Sequence, residues 1–426
     1  MTQQVLMMTD CKEFFEWVKV HIDDNPSTLR LKYPRNCDGF DYEAAITQIE
    51  CRRKFGKKLA ATLEAFPDFY FPSVLSGEQS TADVVAAFHA SLAAVDMPMA
   101  DLTAGLGIDA LHAAPKVSSV VAVERDADRA EALEYNAGGM GISNIKVVCE
   151  DCNAFIDNCI KASSAPKKLF ATVFIDPARR AADGSRVFAL SDCEPDVVGM
   201  LPRLGALCSR LIIKASPMLD ISHTIAEVSP RPSAVMSVGT PTECKELLIV
   251  VDFDKETAET LVEAVTLGAD GSVSSFAFTQ NEEKEAAQPA VADELREGDY
   301  ICEPNPMLMK TGAFRLVAAR FGLSVFQPNT RIFVSDSIPE DFPGSVWRVV
   351  KALPYASRVI KRFAAEYPVI NVAVRNFGLS ADALRAKLRV RDGGNLRLYG
   401  FTDARQRRIL AVTEPVVRKK VVFNNV

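Results

Sequence analysis

Asp101-Leu-Thr-Ala-Gly105-Leu-Gly107-Ile-Asp-Ala110 lies where an apolar run, Met97 to Leu102, should turn from a strand into a helix. Glycines suit such a turn because the backbone must bend tightly and approach a ligand with no Cβ in the way. Glu124 ends Val120-Val-Ala-Val123, seventeen residues after Gly107, where an acid can accept hydrogen bonds from both hydroxyls of a ribose. Asp151 follows Ile145-Lys-Val-Val148, and Asp176-Pro177 follows Thr172-Val-Phe-Ile175. All four features fall at the carboxyl ends of expected parallel strands, where open α/β sheets bind ligands. Any one acid at a strand end reads as a loop residue; four in register read as a nucleoside site.

Gly-x-Gly-x-x-Ala also fits a dinucleotide fingerprint, and a glycine turn can exist with no ligand at all. In a dehydrogenase the glycines usually begin directly after the apolar strand, since they must meet a pyrophosphate. Here Asp101 and Thr103 intervene. A carboxylate there repels phosphates and suits the amino group of a methionine moiety, which favours S-adenosylmethionine over NAD.

The elements that must position these residues follow from the apolar pattern. Between 73 and 253, short apolar runs alternate with helical stretches: Met97–Leu102, Ser119–Val123, Ile145–Cys149, Ala171–Ile175, Leu211–Lys214, Val235–Val238 and Leu247–Val251. That alternation predicts βαβ units and a mostly parallel sheet covered on both faces. Residues 1–72 show helical spacing (Cys11, Phe14, Phe15, Val18; Ala44, Ile46, Ile49) broken by prolines, a small helical region. Its basic run Arg52, Arg53, Lys54, Lys57, Lys58 reads as a solvated helix face, with nucleic-acid contact as the alternative. Segment 254–288 is acidic, with room for a strand pair around Ser272 to Thr279 and a solvated loop from Asn281 to Gln288. A helix is expected from about Ala313. The last hundred residues alternate strand-like pieces with a helix near Ala381 to Leu388, a small α+β domain.

Composition narrows the class. With 426 residues the chain exceeds one core, and hydrophobic residues at 48% with charged residues at 24% exclude a fibrous or largely disordered chain. No apolar run approaches the roughly 20 residues a membrane span requires, and Met-Thr-Gln-Gln lacks the regions of a signal peptide, so a cytoplasmic protein is expected. Cys149 and Cys152 form a Cys-x-x-Cys with no second ligand pair and only four histidines in the chain; no metal is expected. The net charge of -6 hides an asymmetry: Val346–Val426 holds 17 basic and 5 acidic residues, +12, which leaves -18 for the rest. One end is suited to a polyanion.

These residues resemble class I methyltransferases with a THUMP-like C-terminal domain, of the kind found in Bacteroidetes-type bacteria. The resemblance covers nearly the whole chain. It rests on Glu78-Gln-Ser-Thr81, Asp101-Leu-Thr-Ala-Gly-Leu-Gly107, Val123-Glu124-Arg125, Glu150-Asp151 and Ile175-Asp-Pro-Ala-Arg-Arg180. It continues through Lys214-Ala-Ser-Pro-Met-Leu-Asp220, Glu243-Cys-Lys-Glu-Leu247, Glu303-Pro-Asn-Pro306 and Arg375-Asn-Phe-Gly378. The resemblance implies an α/β fold: a Rossmann-like core with a mostly parallel seven-stranded sheet at 73–254, a helical region at 1–72, a ferredoxin-like segment at 255–325 and a THUMP-like, basic, RNA-binding domain at 326–426. S-adenosyl-L-methionine would then lie against Glu78, Gln79, Thr81, Asp101, Thr103, Gly105, Gly107, Glu124, Arg125 and Asp151, with Glu124 on the ribose and Asp151 on the adenine amino group.

The implied substrate is RNA, tRNA or rRNA, methylated on a base around Asp176, Pro177 and Arg179, with Arg180, Lys214 and Ser216 as substrate contacts. Enzymes that methylate amino groups of nucleic acids typically show Asp/Asn-Pro-Pro-aromatic, where the ring stacks on a flipped base. Ala178 and Arg179 replace the second proline and the ring here. A guanidinium can stack on a base or clamp a phosphate, or serve only as a surface ion pair. No cysteine sits where a covalent C5 route would need it. Two other functions compete: a non-catalytic RNA-binding protein on the same fold, and a small-molecule or protein methyltransferase, which leaves the +12 end unexplained.

Overall fold

The computed structural model describes residues 11–33, 40–162, 168–179, 189–327 and 330–417. The chain divides into two compact units, one of 1–235 with 246–260, the other of 236–245 with 261–426.

In the first unit the expected strands form. They are β1 (Pro98–Asp101), β2 (Ser119–Glu124), β3 (Ile145–Cys149), β4 (Phe170–Ile175) and β7 (Cys208–Ala215), all mutually parallel in the order β7-β4-β1-β2-β3. Between β4 and β7 the short strands β5 (Ala178–Arg179) and β6 (Cys193–Glu194) pair with each other. After β7 the chain forms β8 (Ala234–Thr240) and β9 (Glu243–Asp252); β9 runs antiparallel to β7, and β8 lies beside it. The order β8-β9-β7-β4-β1-β2-β3 continues beyond β8 into two further strands, so the mostly parallel sheet has nine strands where seven were expected. Central strands such as Val120-Val-Ala-Val123 are apolar throughout because helices cover both faces of a parallel sheet.

The N-terminal helices do not stand apart at a boundary near 72. Phe15 stacks on Tyr135 of the helix Ala127–Gly139, and Asn136 of that helix accepts from the Tyr70 N–H at 2.7 Å and donates to the Tyr70 carbonyl. Phe14, Phe15, Val18, Ile46 and Ile49 share one core with Ala132. Burying these large apolar faces joins the helices to the sheet. The basic run is partly structural. The Arg52 guanidinium donates to the carbonyls of Pro67 and Phe69, and Lys58 donates to those of Gly77 and Glu78. Burial lowers the Arg52 pKa to about 10.

In the second unit, β10 (Leu261–Leu267) lies beside β8 and pairs antiparallel with β11 (Val273–Thr279). The strand expected at Ser272 to Thr279 is therefore present, but its partner is β10. Asn281 to Gln288 is not simply a loop: Gln280–Glu285 is helical, started by a capping box in which Thr279 and Glu282 exchange hydrogen bonds with each other's backbone. A second sheet has the order β13-β14-β12-β15-β18-β17-β16. Its strands are β12 (Tyr300–Pro304), β13 (Ser324–Val325), β14 (Phe333–Ser335), β15 (Gly344–Pro354), β16 (Asn371–Arg375), β17 (Arg397–Thr402) and β18 (Arg408–Pro415). A boundary at 325/326 would cut this sheet, since β13 pairs with β14 and β12 with β15. The helices Ser357–Glu366 and Ala381–Leu388 contribute Phe363, Leu384 and Leu388 to a core with Leu398, Leu410 and Val412.

Candidate active site

The carboxyl ends of β1, β2, β4 and β7 converge on one set of polar groups. Gly105 (φ +56°) and Gly107 (φ +85°) are both left-handed, and Gly107 caps the helix Ile108–Ala113. A Cβ on Gly107 would lie 2.0 Å from Leu133 Cδ1, so only glycine fits between turn and helix. On Gly105 a Cβ would meet nothing nearer than the Thr103 carbonyl at 3.9 Å, so the space beside it is open. The loop is tied to the next strand: Ala104 donates to the Val123 carbonyl, and the Gly105 N–H donates to Glu124 Oε2 at 2.8 Å. Glu124 Oε1 accepts from the Asp126 N–H at 2.8 Å and is ion-paired with Arg129 at 3.1 Å. Thr103 Oγ1 accepts from the Asp176 N–H at 2.7 Å, which joins the loop to β4.

Asp101 is 1% exposed and accepts from the Thr103 N–H at 3.1 Å. Burial, together with the nearby charges of Asp109, Asp176 and Glu124, pushes its pKa up to about 8. Asp176 faces Lys214, with Oδ2 2.5 Å from Nζ. Burial favours its protonated form and Lys214 opposes that, leaving its pKa above the usual range. Lys214 is buried too, yet Asp176, Asp109 and Glu246 hold it in the ammonium form.

Thr81, Asp101, Thr103, Gly105, Gly107, Glu124, Asp176 and Lys214 are thus brought together. Others are not. Glu78 and Gln79 end the helix Val74–Gln79, exposed. Arg125 is exposed, 3.8 Å from Glu194. Asp151 starts the helix Cys152–Ala162, accepting from the N–H groups of Asn153 and Ala154. Ser216 Oγ accepts from the Met218 N–H, whereas Pro177, buried, directly follows Asp176 and so does lie at the site. Arg179 belongs to β5, its side chain lying outside the described residues together with all of Arg180.

Three residues that motif reasoning passed over complete the site: His89, Asp109 and Glu246. His89 is 3% exposed; its Nδ1 lies 2.7 Å from Asp109 Oδ1, and its Nε2 bonds Glu246 Oε1. The signal was a lone histidine in the apolar helix Asp83–Leu92, one of four in the chain. Among the described residues no group of three or more His, Cys, Asp or Glu could hold a metal ion, and no helix is long and apolar enough to cross a membrane.

A mostly parallel sheet of this order, with a left-handed glycine loop and strand-end acids, is the fold of the methyltransferase class. The particular relatives agree. The crystal structure of a provisionally named methyltransferase from Porphyromonas gingivalis W83 superimposes with a TM-score of 0.84 at 27% identity, over 96% of this chain and 98% of that one. Two uncharacterized S-adenosylmethionine-dependent methyltransferases of Mycobacterium tuberculosis, from strains CDC 1551 and H37Rv, are each 25% identical over 225 residues, 52% of this chain. The match spans 57% of the length of these curated relatives. Residues 300–343 match a ferredoxin-like domain family and 344–415 a THUMP domain-like family. The chain has a methyltransferase fold carrying ferredoxin-like and THUMP-like domains.

Proposed function

We propose that this chain is an S-adenosyl-L-methionine-dependent methyltransferase that acts on a base of RNA, either tRNA or rRNA. The observation that carries this reading is the joining of the glycine loop to Glu124 and, through Thr103, to Asp176. The residues present fit the cofactor. The space beside Gly105 is open, and Asp101 is a buried carboxylate with no cation at ion-pair distance among the described residues. An ammonium beside Asp101 restores its ionised form.

When bound, the cofactor supplies a methyl group on a sulfonium, whose departure leaves a neutral thioether. The protein then has to align an acceptor lone pair at about 3 to 3.5 Å and stabilise the charge growing on it. Asp176 Oδ1, the oxygen that Lys214 does not engage, accepts the N–H of an exocyclic amine. Pro177 fixes the backbone beside it.

RNA as substrate is supported by the THUMP-like segment and its exposed cations. Arg358, Lys361 and Arg362 lie on the helix Ser357–Glu366, and Lys387, Arg389 and Arg391 lie at the end of the helix Ala381–Leu388. Among the described residues several further cations of this end are already paired: Arg348 with Glu414, Lys351 with Glu366, Arg385 with Asp382 and Arg407 with Asp403, while Arg375 and Arg397 share Glu303. One observation favours a non-catalytic RNA-binding protein: Glu124 and Asp151 already serve the fold, through Gly105 and a helix start. Modified-nucleoside profiles of RNA from cells with and without the protein separate the two. Loss of one methylated nucleoside supports the enzyme; identical profiles support the binding protein.

A further inference from the structure

The bonds around Asp176 do not end at Lys214. Lys214 Nζ is 3.5 Å from Thr81 Oγ1, and the Thr81 hydroxyl donates to Asp109 Oδ2 at 2.6 Å. Asp109 Oδ1 meets His89 Nδ1 at 2.7 Å, and His89 Nε2 meets Glu246. Six side chains from separate elements form one line: Asp176 on the end of β4, Lys214 on β7, Thr81 before a helix, Asp109 after the glycine loop, His89 within a helix and Glu246 on β9.

Donor and acceptor inventory gives this line a direction. Lys214 has donors only, so its contact with Thr81 must use a lone pair of the hydroxyl oxygen. The single hydroxyl proton is then left for Asp109 Oδ2, and the low pKa of Asp109 makes that acceptor a carboxylate. His89 lies between two carboxylates, and as an imidazolium it donates to both. Burial alone would drive the ring neutral, but Glu246 and Asp109 outweigh it and push its pKa up to about 10, while His89 and the Thr81 bond help hold Asp109 down at about 2. The charged groups facing the ring are Asp109 from the helix Ile108–Ala113 and Glu246 from β9; from β4 the neighbour is the Phe174 ring, 5.1 Å away.

We propose that His89 is a positioning residue for methyl transfer: clamped between Glu246 and Asp109, it orients the Thr81 hydroxyl toward Asp109 so that Lys214 is held on Asp176 and the Asp176 carboxylate keeps a free oxygen for the acceptor. Loss of the imidazolium proton leaves a neutral ring, so Asp109 is no longer anchored by a charged donor. Its grip on the Thr81 hydroxyl loosens, and the hold of Lys214 on Asp176 slackens. This inference rests on the methyltransferase reading above.

The test uses the full-length protein, labelled S-adenosylmethionine and total bacterial RNA. His89→Gln should lower kcat about tenfold or more while KM for both substrates stays within about threefold. Thr81→Val should do the same, Thr81→Ser should restore most of the rate, and the two losses should not add. Glu246→Gln removes one clamp and lowers the His89 pKa, so kcat at saturating cofactor should gain a decline as pH rises from about 7 to 9 that the wild type lacks. Because His89→Gln is a core change, 15N-histidine NMR of the unmutated protein gives a second readout: both His89 ring nitrogens should carry protons across pH 6 to 9. A neutral His89 at pH 7, or a Glu246→Gln profile identical to wild type, overturns the inference. Absence of transfer by the wild type overturns the methyltransferase reading instead and leaves the NMR result to decide the clamp.

Discussion

The two units place their charges in opposite ways. In the first, Asp101, Glu124 and His89 are each under 10% exposed and each is met by a named donor or acceptor. In the second, Arg358, Lys361, Arg362, Lys387, Arg389 and Arg391 are exposed, while buried Asp403 is paired with Arg407 and half-buried Glu303 meets Arg375, Arg397 and the Tyr399 hydroxyl. Buried charges are held at fixed distances in a low dielectric and can steer a reaction; exposed ones give attraction that salt screens. On the proposed function, the contrast gives chemistry to one unit and RNA capture to the other, and each side can be broken separately.

The largest effect should come from Asp176→Asn. It keeps the shape and removes the charge, and the transfer rate should fall by about 10² or more, the scale set by removing a single electrostatic stabiliser, with cofactor affinity within a few fold. Single-turnover kinetics checks it. A normal rate would move the chemistry toward Lys214-Ala-Ser-Pro217.

Glu124→Ala should come next. Its carboxylate accepts from the Gly105 and Asp126 N–H groups and is ion-paired with Arg129, so it holds the glycine loop; charge-assisted hydrogen bonds are each worth about 1.5 to 3 kcal/mol. Calorimetry should show S-adenosylmethionine bound at least tenfold more weakly; unchanged affinity would detach the glycine loop from cofactor binding.

Asp101→Asn should act through pH. With a pKa of about 8, Asp101 keeps its proton in the folded protein where the unfolded chain has already lost it, so its contribution is full below about pH 4 and is lost as pH rises through about 8. The variant should have a flatter stability curve between these limits and be more stable at pH 8 by at least about 1.4 kcal/mol, the worth of one pKa unit. Urea unfolding across pH measures this; parallel curves would place Asp101 in an ordinary ionised state.

The smallest effect at physiological salt belongs to the second unit. Removing 346–426 would take away β15, the partner of β12, so point changes are the sharper tool. Arg358→Ala, Lys361→Ala and Arg362→Ala together should weaken RNA binding a few fold and make the log-log salt slope shallower by about 2, at about 0.7 for each single-strand phosphate that the variant no longer neutralises. An unchanged slope would make this helix a solvated face.

Much of this was legible in the sequence. Each apolar run between Met97 and Val251 became a strand, because a strand buried on both faces must be apolar throughout. The acids at strand ends were readable for the same reason: a polar residue breaks the run. The relay was not, since Thr81 and His89 on one segment, Asp109 on a second and Glu246 on a third meet only through the fold. His89 also hides within an apolar helix, where a single polar residue leaves the periodicity intact. Strand β10 was missed although Leu261-Val-Glu-Ala-Val-Thr-Leu267 is largely apolar, because acidic and polar stretches flank it, and the helix Gln280–Glu285 was missed because it is polar and rests on a capping box rather than on an apolar period.

The central claim is tested most directly by incubating the purified protein with methyl-labelled S-adenosylmethionine and total bacterial RNA, then digesting with nuclease. The account predicts label in RNA that becomes nuclease-soluble as one methylated nucleoside, with at least about a 10² lower rate for Asp176→Asn. Label that stays in protein or small molecules, or no transfer while the cofactor binds, would contradict it.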